Sequence, residues 1–152
     1  MTYVADPTPA VRLTLLPEQL SIFRFHPSAP VPDLAAFTGV WSVTRTRREI
    51  SVVAEEGACS AADEEDPGWR CLYVDGPIPF NLTGIVAGIT SAIAAAGLPV
   101  FVLSTFDSDL ILLRGESLDH ALRALRDKGY AIGVPPLPEL SATRQPHPGR
   151  PS

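Results

Sequence analysis

Residues Tyr73–Leu113 read YVDGPIPFNLTGIVAGITSAIAAAGLPVFVLSTFDSDLILL. The pattern is strand, proline turn, apolar helix, apolar strand, polar turn, strand. Leu82, Ile85, Val86, Ile89 and Ile93 recur at helical spacing and predict one buried helix face. Ala94, Ala95 and Ala96 extend that helix, and Gly97 can end it in a left-handed conformation. Pro99 to Thr105 is a continuous apolar run, read as a central strand. Phe106 to Ser108 turns the chain, and Asp109 opens the strand LILL. The concentrated polar groups lie in two short loops, PFNLTG and STFDSD. A β-α-β-β run with its polar chemistry confined to two loops fits a small-ligand sensor better than an enzyme.

Outward from this stretch the pattern continues. Arg70 to Val74 predicts a strand. Ser117 is a good N-cap for a second helix, whose buried stripe is Leu118, Ala121, Leu122 and Leu125. Lys128 and Gly129 end it, and Tyr130 to Val134 is a last strand. The order β-α-β-β-α-β predicts an α+β, ferredoxin-like unit: two helices on one face of a four-stranded antiparallel sheet.

The N-terminal half reads as a degenerate copy. Leu20–Phe25 predicts a strand, Pro30–Phe37 a short helix, and Val40–Thr44 and Glu49–Ala54 two more strands. Trp41–Val53 (WSVTRTRREISVV) aligns without a gap on Phe101–Leu113 (FVLSTFDSDLILL). Both read apolar strand, polar turn, acidic residue, apolar strand. Glu55–Gly68 is acidic and poor in large apolar groups, so it reads as a linker. The expected organisation is a flexible N-terminus (1–10), a degenerate unit with an acidic connector (11–68), a full unit (69–134) and a disordered proline-rich tail (135–152).

Composition narrows the function classes. The chain has 152 residues, 45% hydrophobic and 19% charged, with net charge -5. A packed core is affordable. The acidic balance argues against nucleic-acid or anionic-membrane binding, which select clustered Lys and Arg. No signal peptide is visible at the start, and the apolar stretch Leu82–Leu103 is broken by glycines and Pro99, so no membrane span is read. Cys59 and Cys71 lack metal spacing and are expected to be reduced thiols in a cytoplasmic protein.

PFNLTGI, then AGLPVFVLSTFDSDLILL, then SLDHALRALRDKGY together resemble the ACT domain of the CASTOR type, over Trp69–Val134. That subclass occurs in cytosolic arginine sensors and in many small bacterial ACT-domain proteins. It usually shows F-S-L-T-G-I and I-S-T-Y-D-T-D-Y. This chain matches at Phe80, Leu82, Thr83, Gly84, Ile85, Ser104, Thr105, Asp107 and Asp109. It departs at Phe106 (tyrosine in the family), Pro99 (often serine) and Leu110 (often aromatic). The resemblance implies tandem ACT units and a free amino acid, arginine or another zwitterion, held where two units meet. On that basis Asn81, Leu82, Thr83, Gly84 and Ile85 supply backbone. Thr105 and Phe106 line the wall, Asp107 and Asp109 face the cationic group, and Val100 comes from the facing unit.

The residues themselves are compatible. Asn81 or Thr83 stands at a helix N-terminus, where free N–H groups and the dipole favour an anion. Gly84 permits close approach to the backbone. Asp107 and Asp109 offer carboxylates to an ammonium or guanidinium. The same residues also serve a structural purpose: Asn81 and Thr83 can cap the helix, and the aspartates can build a turn. Arg45, Arg47 and Arg48 read as a solvated hairpin tip, Asp63–Asp66 as a solvated loop, His26 as structural, and Trp41 and Trp69 as core or interface anchors. No local set of Cys, His and acid argues for a triad or metal centre, so no enzyme and no cofactor is expected. The functional expectation is a non-catalytic regulatory protein that binds an amino acid and forms a homodimer. The alternative is a ligand-free ACT-like dimerisation scaffold.

Overall fold

The computed structural model describes residues 11–75 and 84–134. Eight strands and two α-helices follow in the order β1 (Arg12–Leu15), β2 (Leu20–Phe25), β3 (Ser42–Arg45), β4 (Ile50–Glu55), β5 (Glu64–Val74), α1 (Ile85–Ala95), β6 (Val100–Ser104), β7 (Asp109–Arg114), α2 (Leu118–Asp127) and β8 (Ala131–Gly133). All strands join one sheet, ordered β3-β4-β2-β5-β1-β8, with β7 on β5 and β6 on β7.

The eleven-residue strand β5 organises the sheet. Along one edge it meets β2 through its first half (Phe23 opposite Glu65, Leu20 opposite Trp69) and β1 through its second (Leu15 opposite Leu72). The Leu16 N–H donates to the Cys71 carbonyl at 2.9 Å and carries the ladder across the gap between β1 and β2. The other edge takes β7, with Trp69 opposite Arg114. Pro67 and Gly68 sit where the β2 register shifts, and Gly68 takes φ 86°, a bulge conformation that needs glycine.

The linker expected over Glu55–Gly68 is strand from Glu64 onward. Its acids do not stand in water alone. Glu64 pairs with Arg24, Glu65 accepts from the buried Ser21 hydroxyl at 2.7 Å, and Asp66 takes two bonds from Arg114 at 2.9 Å. Cross-strand partners therefore replace apolar burial as the reason for pairing.

Three further expectations are corrected. The Pro30–Phe37 helix is a single 3-10 turn, Leu34–Ala36, which Asp33 caps through Ala35 N at 3.1 Å. Pro30 and Pro32 supply no N–H to a longer ladder. Strand β6 is not central: among the described residues it pairs with β7 alone. The last strand does not close an antiparallel four-stranded sheet, because β8 lies parallel to β1, which stands between it and β5.

Three apolar clusters hold the sheet. On one face α1 (Ile85, Ile89, Ile93) and α2 (Ala121, Leu122, Leu125) pack on Leu13, Leu72, Val74, Ile111 and Leu113. Their stripe matches the predicted spacing, and Ile89, Ile93 and Leu125 are fully buried. The opposite face gathers Leu16, Leu20, Val53, Trp69, Cys71, Leu110 and Leu112. Strands β4 and β7 both contribute to this cluster. A third cluster (Phe23, Phe25, Ile50, Val52, Ala54, Cys59) serves β2 and β4. Trp69 is thus a core anchor, whereas Trp41 is 39% exposed and tilts against Phe37 at 5.7 Å.

The two hairpins β3–β4 and β6–β7 share a turn. Thr46 N donates to Glu49 O at 2.9 Å, and Thr105 N donates to Ser108 O at 2.8 Å. In each turn the threonine Oγ1 accepts from the fourth residue's N–H at 3.1 Å. Thr46 therefore matches Thr105, one residue out of the gapless alignment of the sequences. Glu49 answers Ser108, and Ile50 answers Asp109.

Candidate functional site at the Thr105–Asp109 turn

The turn after β6 is rigid for its length. Thr105 Oγ1 donates to Ser108 O at 3.1 Å and accepts from Ser108 N, closing a hydroxyl-backed turn. Ser108 is 4% exposed, and its hydroxyl donates to the carbonyl of Val74, the last residue of β5. Val74 and Ile85, the first residue of α1, belong to one buried core cluster. The Ser108 bond places the turn beside the C-terminal end of β5.

The predicted site residues divide. Gly84, the residue before α1, has φ 86° and accepts from Gly88 N at 2.9 Å, with no side-chain cap on the helix. Its left-handed backbone is a reason for glycine here. Ile85 is 8% exposed and faces the core, so only its backbone is available to a ligand. Thr105, Phe106 and Asp107 are exposed, Phe106 by 67%. Asp109 is half-buried, opposite Ser104, whose hydroxyl donates to Oδ1 at 2.5 Å. Val100 lies at the far end of β6 opposite Leu113, so within one chain it does not join the turn. Asn81, Leu82 and Thr83 lie outside the described residues. Ser108 was missed: its signal, a small hydroxyl between two aspartates, does not distinguish a buried anchor from a solvated turn residue.

Asp75 extends the polar rim. It accepts from Thr14 Oγ1 at 2.8 Å and lies 3.6 Å from Arg12 Nε. Both cysteines are free and buried. Burial, with Glu18 adding to it, pushes the Cys71 thiol up to about 12, and burial followed by Glu65 raises that of Cys59. Neither thiol is therefore an activated nucleophile at neutral pH. Among the described residues no three His, Cys, Asp or Glu side chains gather as a metal site, and no helix is long and apolar enough to cross a membrane.

Two clefts lie away from this turn. One, of about 380 Å³, is bounded by Gln19, Glu56, Gly68, Arg70, Arg114 and Glu116, where β5 passes from β2 to β7. The other, of about 340 Å³, is lined by Phe25, Pro30, Val31, Phe37 and Cys59, over the thinly covered face of β2 and β4.

A family model described as ACT domain matches residues 64–127. The crystal structure of an Agobacterium tumefaciens protein is 32% identical at a TM-score of 0.77, and the match covers 85% of this chain and 96% of that one. A Vibrio cholerae protein of unknown function is 17% identical, TM-score 0.61, over 74% of this chain and 85% of its own. The regulatory subunit of aspartate kinase from Thermus flavus is 14% identical, TM-score 0.55, over 80% and 98%. The first of these shares a family with this chain, the other two share its fold. The chain belongs to one family with the Agobacterium protein, and its residues 64–127 match the ACT domain.

Proposed function

We propose that the protein is a non-catalytic regulatory sensor of the CASTOR type that binds a small amino acid where two ACT units meet. The carrying observation is the tie from the turn to Val74, in the core cluster that also holds the start of α1. Ser108 ties the turn, and with it Asp109, to Val74 at the end of β5, and Val74 shares a core cluster with Ile85, the first residue of α1. A helix start and a carboxylate held near one point suit the two charges of a zwitterion. Fold relatives include aspartate kinase regulatory subunits, one described as a ligand-free form, and an aspartate kinase described as allosteric.

The chain is further read as tandem ferredoxin-like units that share β5, the N-terminal one degenerate. The order β5-β2-β4-β3 and the common hairpin turn support this. The division expected between residues 68 and 69 then falls inside a strand. Strands β3, β6 and β8 each pair on one side only among the described residues, and a two-fold homodimer would cover such edges. In that dimer Val100 of the facing unit would complete the site.

One observation favours the second reading, a ligand-free dimerisation scaffold. Asp109 already holds the Ser104 hydroxyl, so a ligand must compete with or add to that bond. A thermal-shift screen with each of the twenty amino acids separates the readings. A ligand that binds only the folded chain raises Tm, and the sensor predicts a rise with at least one of them, reduced in Asp109→Asn. A flat response to all twenty supports the scaffold.

A further inference from the structure

We propose that the cleft of about 380 Å³ at the crossing of β5 is a second ligand site, for a small α-amino acid bound through its charged ends. The site differs from the one at the Thr105–Asp109 turn. Its walls come from both halves of the chain: Gln19 and Glu56 from the segments after β1 and β4, Gly68 and Arg70 from β5, and Arg114 and Glu116 from the end of β7 and the turn before α2. The volume lies in the range of small-molecule sites, roughly 300–1,000 Å³.

The charges of the cleft are unequal in their satisfaction. Arg114 is spoken for: two bonds to Asp66 at 2.9 Å, one to the Pro67 carbonyl at 3.0 Å, and its guanidinium 4.1 Å from the centre of the Trp69 ring. Arg70 is not. It is half-buried, and its Nη2 donates to the Leu16 carbonyl at 3.1 Å. Its Nε is buried without an acceptor, and no carboxylate of the described residues lies within ion-pair distance. A partly desolvated guanidinium lacking a counter-charge is unfavourable, and a carboxylate beside it removes that penalty. Two acids line the same cleft. Glu56 accepts from Gly68 N at 3.0 Å through one oxygen, and Glu116 is exposed at the rim. An arginine without an ion-pair partner among the described residues and two carboxylates in one cleft lining match a carboxylate and an ammonium on a single small molecule. Gly115 keeps the cleft narrow, since a Cβ there would meet the Gly68 carbonyl at 3.3 Å.

Trp69 lines the cleft and reports on it. Trp41→Phe makes Trp69 the sole tryptophan of the full chain. This single-tryptophan protein is titrated with each of the twenty amino acids, and with acetate and methylamine as half-ligands. The expected result is saturable change in Trp69 emission with at least one amino acid, and at least tenfold weaker response to either half-ligand. Arg70→Gln should weaken that response tenfold or more, Arg70→Lys should retain part of it, and Glu116→Gln, an exposed change that leaves the fold intact, should weaken it severalfold. Asp109→Asn should leave it unchanged, which separates this site from the turn. No saturable change with any amino acid overturns the proposal. So does a response that survives both Arg70→Gln and Glu116→Gln, or one abolished by Asp109→Asn.

Discussion

Replacing Ser108 by alanine should loosen the turn that carries Asp109. The side chain is 4% exposed, and its hydroxyl bonds the Val74 carbonyl at the end of a central strand. Alanine fits the space but cannot donate, so the cost is a lost buried hydrogen bond plus a carbonyl left short of a partner, about 1–2 kcal/mol. For a domain of this size that corresponds to a fall in Tm of roughly 3–10 °C. Urea denaturation should show a lower midpoint at unchanged slope, because the surface exposed on unfolding is the same. The control is Ser104→Ala. Ser104 is exposed, and its loss should cost no more than about 0.5 kcal/mol. If Ser108→Ala proves as mild as Ser104→Ala, the Val74 anchor does not hold the turn, and the geometric case for the site fails with it.

Other outcomes follow from the same structure. Arg114 bonds lower the Asp66 carboxyl below the usual range, so its contribution to stability is present above about pH 4 and is lost as pH falls through the lower folded value. Asp66→Asn should therefore flatten the acid limb of a stability–pH curve, by less than about 1 kcal/mol because the pair is largely exposed; an unchanged limb would dismiss the pair. Gly88→Ala should destabilise despite a helix-propensity gain of about 1 kcal/mol, since the new Cβ would lie 2.7 Å from the Tyr130 hydroxyl. Adding Tyr130→Phe should restore the gain, and calorimetric melting of both variants tests this. Cys71, whose thiol sits at about 12, should react with a thiol reagent at pH 8 only as fast as the chain opens, so labelling in urea should track unfolding. Light scattering should give twice the chain mass at micromolar concentration, and a monomer there would remove the facing-unit role of Val100.

The helices were legible because their apolar spacing is strong and Gly97 and Gly129 end them with positive φ: the stripes Leu118–Leu125 and Ile85–Ile93 pack in the core, while Ser117, expected to cap α2, makes no side-chain cap bond. The acidic half of β5 was not legible. Its pairing rests on Arg24, Ser21 and Arg114, residues distant in sequence, and no local pattern announces cross-strand partners. The apolar run of β6 was misread as central for a related reason. Val100 and Val102 face the helix-side cluster, while Phe101 and Leu103 face the opposite one. Both faces are partly covered, yet one edge pairs with no strand among the described residues. The insertion of β1 between β5 and β8 is a tertiary choice that four residues, RLTL, do not reveal. At the candidate site the sequence drew attention to Asp107 and Asp109 because charges interrupt an apolar run. It could not show that Ser108 between them is the buried residue.

The central claim is that an amino acid binds through Asp109. Isothermal titration of the full chain with arginine, then with the other nineteen amino acids, tests it most directly when run beside Asp109→Asn. The account predicts saturable heat for at least one amino acid, and binding weaker by about 1–3 kcal/mol in the variant, as for a charge-assisted bond lost in a partly buried site. Equal affinity in both proteins, or no heat from any of the twenty, contradicts it.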